Sequence, residues 1–484
     1  MSIKSSSIKK NFYYSFVLKV SNVLFPLITF PYVARILSPQ SIGSIDFSIS
    51  IIQYLIIIAS LGVPIYGIRE SSKLRNSTIE LEKTSQEILT INMISTIISY
   101  IIFIIIIFSV KGLSSYRDFL LIASINIVST YLGVEWFFQG IEDFKYITVR
   151  NIAIKILALI LIFTFVRRPN DVYIYFWITI LTTSMGYLTN YIYVKNKYKL
   201  FKLSKFTNIK KHVKPILILF AMTLSTSIYI NLDKVMLGVI IGDLYVGYYS
   251  VANKLVNSFL IIITSLGTVL LPRMSYYFKI NDIENGNLLI KKSISFIVML
   301  SLPVIFILII LANPIISIFA GESFNESILT MKIIAPIILF ISLSNLIGIQ
   351  ILIANGKEII TLMSTIIGAV INFTLNYFLI PVYLQNGAAF ATVVAELSVL
   401  VFQVYYGRKY IFNNIDYKSL MKYITATTIS VTVLRLITYV IGENFTSMIF
   451  GGLLFIFSYY GFLLITKEKL VEEFQTTLVN KFRK

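Results

Sequence analysis

The chain is 484 residues long, 57% hydrophobic and only 13% charged, with a mean hydropathy of +0.82. Soluble domains carry about 25% charged and about 45–50% apolar residues, so the composition excludes an ordinary cytosolic enzyme, a disordered chain and a disulfide scaffold. It indicates an all-α polytopic membrane protein. There is no Cys and a single His, His212, which excludes thiolate chemistry and multi-histidine metal centres. Lys and Arg number 42 against 23 Asp and Glu, a net charge of +19. In so apolar a chain this excess reads as topology, not as nucleic-acid binding.

Crossing about 30 Å of hydrocarbon takes about 20 apolar residues. Fourteen stretches qualify, at 12–34, 44–66, 87–109, 118–138, 149–166, 172–194, 215–238, 245–270, 293–312, 328–352, 359–380, 388–405, 421–441 and 447–466. Residues Met1–Lys10 carry Lys4, Lys9 and Lys10 ahead of the first stretch. The run is too long for a signal peptide and lacks a small-residue cleavage site, so it reads as the first span. Pro26, Pro31, Pro64, Pro303 and Pro336 fall within spans. Bundled membrane helices tolerate this because neighbours re-satisfy the freed backbone groups. With both termini inside, the inner loops and tails hold 30 basic residues and the outer loops 5. That bias supports an even span count and cytoplasmic termini.

The most basic loop, 195–214 (KNKYKLFKLSKFTNIKKHVK), follows the sixth span. It reads as an amphipathic linker on the anionic inner leaflet, with His212 solvated. Weak self-similarity flanks it. Ile42-Gly43-Ser44 before the second span parallels Val246-Gly247-Tyr248 before the eighth, and Gly133 to Gly140 parallels Gly348 to Gly356. The expected organisation is a six-helix half (1–194), the linker (195–214), a second six-helix half (215–405), and two added helices with a basic tail (406–484). Repeats of this kind place a substrate path between halves and permit alternating access.

A charge inside a span costs about 2.5–3.5 kcal/mol on insertion scales, so each needs a reason. Lys19, Asp46, Glu135, Arg150 and Lys155 lie within the first five spans, and Asp233, Lys234, Lys254, Glu396 and Arg435 within later ones. Those near span ends, Asp46, Glu135, Arg150 and Arg435, have a second reading as snorkelling groups. Asp233 and Lys234 have one as a structural ion pair. Lys19, Lys155 and Lys254 sit deeper, and a water-filled cavity explains them better than lipid. Asn253 and Asn257 flank Lys254, and Asn372 and Asn376 add polar groups near Glu396. An excess of Lys suits an anionic substrate, because ammonium groups attract phosphate as point charges. There is no paired-carboxylate motif, no phosphate-cradling Gly-rich loop and no nucleotide fold. These absences speak against an enzyme and an ATP-driven pump.

Several segments together resemble one family. They are Pro31-Tyr-Val-Ala-Arg35 with Ile42-Gly43, Tyr66-Gly-Ile-Arg69-Glu70, Glu135-Trp-Phe-Phe-Gln-Gly140 with Tyr146 and Arg150, Asp233-Lys-Val-Met-Leu-Gly238, Val246-Gly-Tyr-Tyr249, Leu271-Pro-Arg273, and Asn376 through Pro381 to Gly387-Ala-Ala389. The chain resembles the bacterial oligosaccharide/polysaccharide flippases of the multidrug/oligosaccharidyl-lipid/polysaccharide exporter superfamily. The resemblance covers the first twelve spans. It implies a V-shaped fourteen-helix exporter with a cationic central cavity. It also implies a polyprenyl-pyrophosphate-linked oligosaccharide as substrate, moved from the inner to the outer leaflet of the cell membrane for surface polysaccharide. Lys254 is then the leading substrate contact, with Lys19, Lys155, Arg150, Asn253 and Asn257. Asp233, Lys234, Glu396, Asp46, Glu135 and Arg35 are coupling or structural charges, H+ or Na+ the coupling ion, and no other cofactor is expected. Partners are membrane lipids and the polymerase and glycosyltransferases of the same pathway. Two alternatives are a cation-coupled drug antiporter of the same superfamily and a membrane glycan polymerase. The polymerase should carry a large outer catalytic loop. The longest outer loop here, around Asn313–Ser327, holds only Glu322 and Glu326 as charges.

Overall fold

The structure, a computed structural model, describes residues 8–482 except 203–205, 266–269, 271–273, 275, 279 and 281. The Leu271-Pro-Arg273 segment therefore lies outside the described residues. Among the described residues the regular structure is helical, without strands. Eleven helical segments are long and apolar enough to cross a membrane, and the protein is a multi-pass membrane protein. One of the eleven, Glu358–Asn414, has 57 residues, about 85 Å of helix at 1.5 Å per residue. It breaks at Leu384, where φ is 55° and ψ −137°, so it is long enough for two crossings. Two further long helices, Val172–Lys197 and Phe206–Ile240, make the set consistent with fourteen crossings.

The chain forms two compact units, Met1–Gly247 and Tyr248–Lys484. The first contains α1 (Ile8–Ile36), α2 (Pro39–Ser60), α3 (Val63–Leu74), α4 (Thr78–Ser109), α5 (Arg117–Leu132), α6 (Glu135–Gly140), α7 (Phe144–Phe165), α8 (Val172–Lys197) and α9 (Phe206–Ile240), and the start of α10 (Asp243–Thr264). Helix α2 lies at its centre, against α4, α5 and α9, while α1 packs on α7 and α7 on α8. Pro26 and Pro31 sit inside α1, and Pro64 opens α3, where its missing N–H costs nothing. The two glycines of the sequence repeat come together here. A Cβ on Gly43 would lie 1.7 Å from the Asp243 carbonyl oxygen, and one on Gly247 2.0 Å from that of Pro39. Each glycine is the fifth residue of its helix, so the similarity in sequence is a matched close approach of two helix starts.

The second unit continues α10 and adds α11 (Ile283–Ile310), α12 (Ala312–Ala320), α13 (Ser327–Ile334), α14 (Ile337–Asn345), α15 (Glu358–Ile411), α16 (Tyr417–Ile441), α17 (Phe445–Ile465) and α18 (Lys469–Phe482). The added pair, α16 and α17, pack on each other and on α11. Helix α14 runs into one π-helical stretch, Leu346–Leu352. The first turn of α18 is held by buried Glu468, whose carboxylate accepts hydrogen bonds from Ser419, Tyr423 and the Val471 N–H.

Candidate functional site

Helix α7 carries Arg150, Asn151, Ile154, Lys155 and Ala158 on one face, as the 3.6-residue period requires. Helix α8 turns Tyr175, Thr179, Thr182, Thr183 and Tyr187 toward it, and α1 adds Phe25 and Thr29. Together with Glu135 these residues enclose a cavity of about 320 Å³ in the first unit. Glu135 reaches it because α5 stops at Leu132 and α6 restarts at Glu135. The break uses Gly133, where a Cβ would lie 2.4 Å from the Tyr187 ring.

The two cations of the cavity are held differently. The Arg150 guanidinium is almost fully buried and donates to Glu135 at 3.0 Å, to Asn151 at 3.1 Å and to Asn190. Its face lies 5.8 Å from the Tyr146 ring centre. Its Nε has no hydrogen-bond partner among the described residues. Lys155 is half-buried and donates to Ser21 Oγ at 3.1 Å and to Asn22. Both partners are neutral, so among the lining side chains one carboxylate faces two cations, a surplus of one positive charge. Thr179, Thr182 and Thr183 each donate to a backbone carbonyl three or four residues back. Their oxygen lone pairs remain as acceptors. The arrangement suits a polar, anionic or hydroxyl-bearing group.

Of the charges singled out from sequence, Arg150, Lys155 and Glu135 share this cavity. Lys19 is exposed on α1 and is not part of its lining. Arg35 is exposed at the C-terminal turn of α1, where a cation favours the helix dipole. Asp46 is buried on α2, Asp233 is buried on α9, and Lys234 beside it is half-buried. In the second unit, Asn253, Lys254 and Asn257 are half-buried on α10, and Asn257 donates to Asn253 at 2.6 Å. Glu396 is buried on α15, as are Asn372 and Asn376, which are bonded to each other at 3.0 Å.

His212 departs from expectation. It is not solvated: it is 4% exposed and lies between the Glu87 carboxylate at 2.8 Å and the Tyr66 hydroxyl at 2.7 Å. Its helix neighbours Ile209 and Ile216 are buried in the same apolar cluster. The sequence reading weighed the many lysines of the loop and missed this i−3, i, i+4 stripe. It also missed Asn190 and the α8 hydroxyl row. Tyr175, Thr179, Thr182 and Asn190 recur at spacings of four, three and eight, a one-face pattern visible within an apolar span.

Comparison with known proteins adds to this picture. Residues 8–278 match the family described as polysaccharide biosynthesis protein, and residues 218–378 match the MatE family. The chain is 24% identical over 402 residues to the Escherichia coli (strain K12) protein named "Putative O-antigen transporter", covering 82% of this chain and 96% of that one. It is 20% identical over 411 residues to the Staphylococcus aureus capsular polysaccharide biosynthesis protein CapF, covering 83% and 99%. Its fold is similar to that of the lipid II flippase MurJ, solved in an inward closed conformation, with a TM-score of 0.73 at 16% identity, covering 95% of this chain and 99% of that one. The first family match spans more than half of the sequence, and the chain belongs to the polysaccharide biosynthesis protein family.

Proposed function

We propose that this protein is a flippase. It moves polyprenyl-pyrophosphate-linked oligosaccharide units from the cytoplasmic to the outer leaflet of the bacterial cytoplasmic membrane, by alternating access, for surface polysaccharide synthesis. The observation that carries the reading is the surplus-cation cavity inside a membrane bundle of this family, lined by Lys155, Arg150 and a row of threonine oxygens. An ammonium with only neutral partners attracts a phosphate group. Hydroxyl acceptors suit sugar hydroxyls. The names of the Escherichia coli and Staphylococcus aureus relatives, and of MurJ, support a lipid-linked glycan substrate. In this reading the protein transports and does not catalyse. The coupling ion is H+ or Na+, and Lys254, Lys19, Asn253 and Asn257 are further substrate contacts. Asp233 and Lys234 are partly structural. The polymerase and glycosyltransferases of the pathway are its functional partners.

The test is reconstitution. Liposomes holding the purified chain and a fluorescent polyprenyl-pyrophosphate-linked glycan should expose the glycan to an external quencher faster than protein-free liposomes. Equal rates with correctly folded protein overturn the reading. The second reading, a cation-coupled drug antiporter, rests on the MatE match over residues 218–378. It requires cation-driven uptake of an organic cation by the same vesicles. Orientation is tested separately. Reporter fusions after Lys214 and at Lys484 should both report the cytoplasm, and an outside signal at either contradicts the fourteen-span topology.

A further inference from the structure

The first unit holds a second group of buried ionisable side chains, distinct from the cavity and unused by the proposed transport reading. His212 on α9, Glu87 on α4 and Tyr66 on α3 form one hydrogen-bonded chain in the order Tyr66–His212–Glu87. All three are at least 96% buried. Apolar residues from the same three helices, including Val63, Ile88, Ile209 and Ile216, surround them. The other charged groups are at the edge. Lys211 reaches the same Glu87 oxygen at 2.8 Å while remaining 60% exposed. Arg69 lies over the Tyr66 ring at 5.0 Å. Glu70, beside it, is paired with Arg69 and Lys73. The second Glu87 oxygen, Oε1, is buried without a hydrogen-bond partner among the described residues.

Hydrogen-bond counting fixes two states. With a neutral imidazole, Nε2–H donates to Glu87 and Nδ1 accepts from the Tyr66 hydroxyl, so each ring nitrogen has one partner. One added proton goes to Nδ1. The Tyr66 bond then reverses, because Nδ1–H donates to the phenol oxygen. The bond to the Glu87 carboxylate, already charge-assisted on the acceptor side, becomes an imidazolium–carboxylate ion pair with charge on both partners. Lys211, mostly in water, is free to yield its place to the imidazolium. We infer that the Tyr66–His212–Glu87 chain is a proton-binding site that latches the start of α9 to α3 and α4 and holds it more tightly when protonated. Helix α4 also holds Lys199, whose N–H donates to Glu82 and whose carbonyl accepts from the Gln86 amide.

The chain has one histidine, so the site can be read without substitution. Ring 15N NMR of the full-length protein in lipid nanodiscs, scanned from about pH 5 to 8.5 around the ordinary histidine range, should show one residue. It should pass from the Nε2–H tautomer to the doubly protonated ring as pH falls. Glu87→Gln removes the counter-charge and should move that midpoint to lower pH. Trypsin cleavage after Lys210 and Lys211, scaled to cleavage of the C-terminal tail in the same digest, should slow about fivefold from the alkaline to the acid end, the factor for roughly 1 kcal/mol. His212→Gln, which keeps an amide donor and acceptor, should flatten that ratio. A ring that stays in one protonation state across the range overturns the inference, and so does a cleavage ratio that does not change with pH in the native protein. Neither readout depends on transport, so failure here and failure of the flippase reading are separable.

Discussion

Two clusters of ionisable side chains in the first unit contain similar residues and solve opposite problems. At the Tyr66–His212–Glu87 chain one carboxylate faces a lysine and a histidine, and apolar side chains from three helices close around it. At the α7–α8 cavity one carboxylate faces an arginine and a lysine, but about 320 Å³ of space is left open beside them. Among the described residues, Lys155 there is matched by neutral Ser21 and Asn22. A closed cluster balances its charges internally. An open one that keeps a cation without a carboxylate is arranged to meet charge from outside. The difference lies in what surrounds the charges, not in which charges are present.

The largest effect is expected at Lys254, the leading substrate contact of the proposed reading. Lys254→Ala should bring flipping to background at near-normal expression, and Lys254→Arg should keep part of it, because charge outweighs exact geometry for a flexible anion. Full activity of Lys254→Ala would confine the surplus positive charge to the first unit. Arg150 sharpens the contrast with Lys155, since it is bonded to Glu135 and Asn190. Arg150→Ala should lower stability by about 2–3 kcal/mol, less than for a fully buried pair because Glu135 is a third exposed. Thermal unfolding in detergent would show this as a lower midpoint, and an unchanged midpoint would make Arg150 a substrate group only. Gly43→Ala inserts a methyl group against the Asp243 carbonyl and should cost about 1–3 kcal/mol, read as reduced yield of folded protein. At the small end, Lys292 pairs with Glu473 at 2.7 Å on the surface of the second unit. Lys292→Ala should change stability by no more than about 1 kcal/mol. A larger loss would mean that exposure is not what separates strong from weak pairs here.

The acid response provides a further control on the comparison. Asp416 caps α16 through the Ser419 N–H and pairs with Lys291 at 3.1 Å. Burial pushes its carboxyl up, but the Ser419 N–H and Lys291 outweigh that and hold it below the ordinary Asp range. A depressed carboxylate loses its contribution only as pH falls through its folded-state value. The Asp416 cap should therefore hold throughout pH 5–8.5, the window scanned at His212, and Asp416→Asn should not alter the histidine titration.

Much of the fold was legible because membrane burial writes long apolar runs. The break in Glu358–Ile411 was visible as Pro381 and Gly387 between two such runs. The charges were legible as anomalies, but their partners were not. Arg150 meets Glu135 only because a short helix and a turn bring them together across 15 residues. Lys155 meets Asn22 across 133 residues with no local signal. Lys19 and Lys155 looked alike in sequence, yet α1 turns Ser21, Asn22, Phe25 and Thr29 toward α7. At about 100° per residue the mean direction of these four side chains lies about 105° from Lys19, which sits beside that face and is exposed. His212 was obscured by the surrounding lysines, which coat an outer face while the isoleucine stripe is buried.

The central claim is that the cavity keeps a cation for an anionic lipid-linked glycan, and Lys155 tests it most directly. In liposomes carrying the fluorescent lipid-linked glycan, Lys155→Ala should slow flipping by at least about tenfold, the loss of roughly 1.4 kcal/mol of interaction. Its thermal unfolding should stay close to native, and Lys155→Arg should restore part of the rate. Native flipping by Lys155→Ala, at equal amounts of folded protein, would contradict the claim.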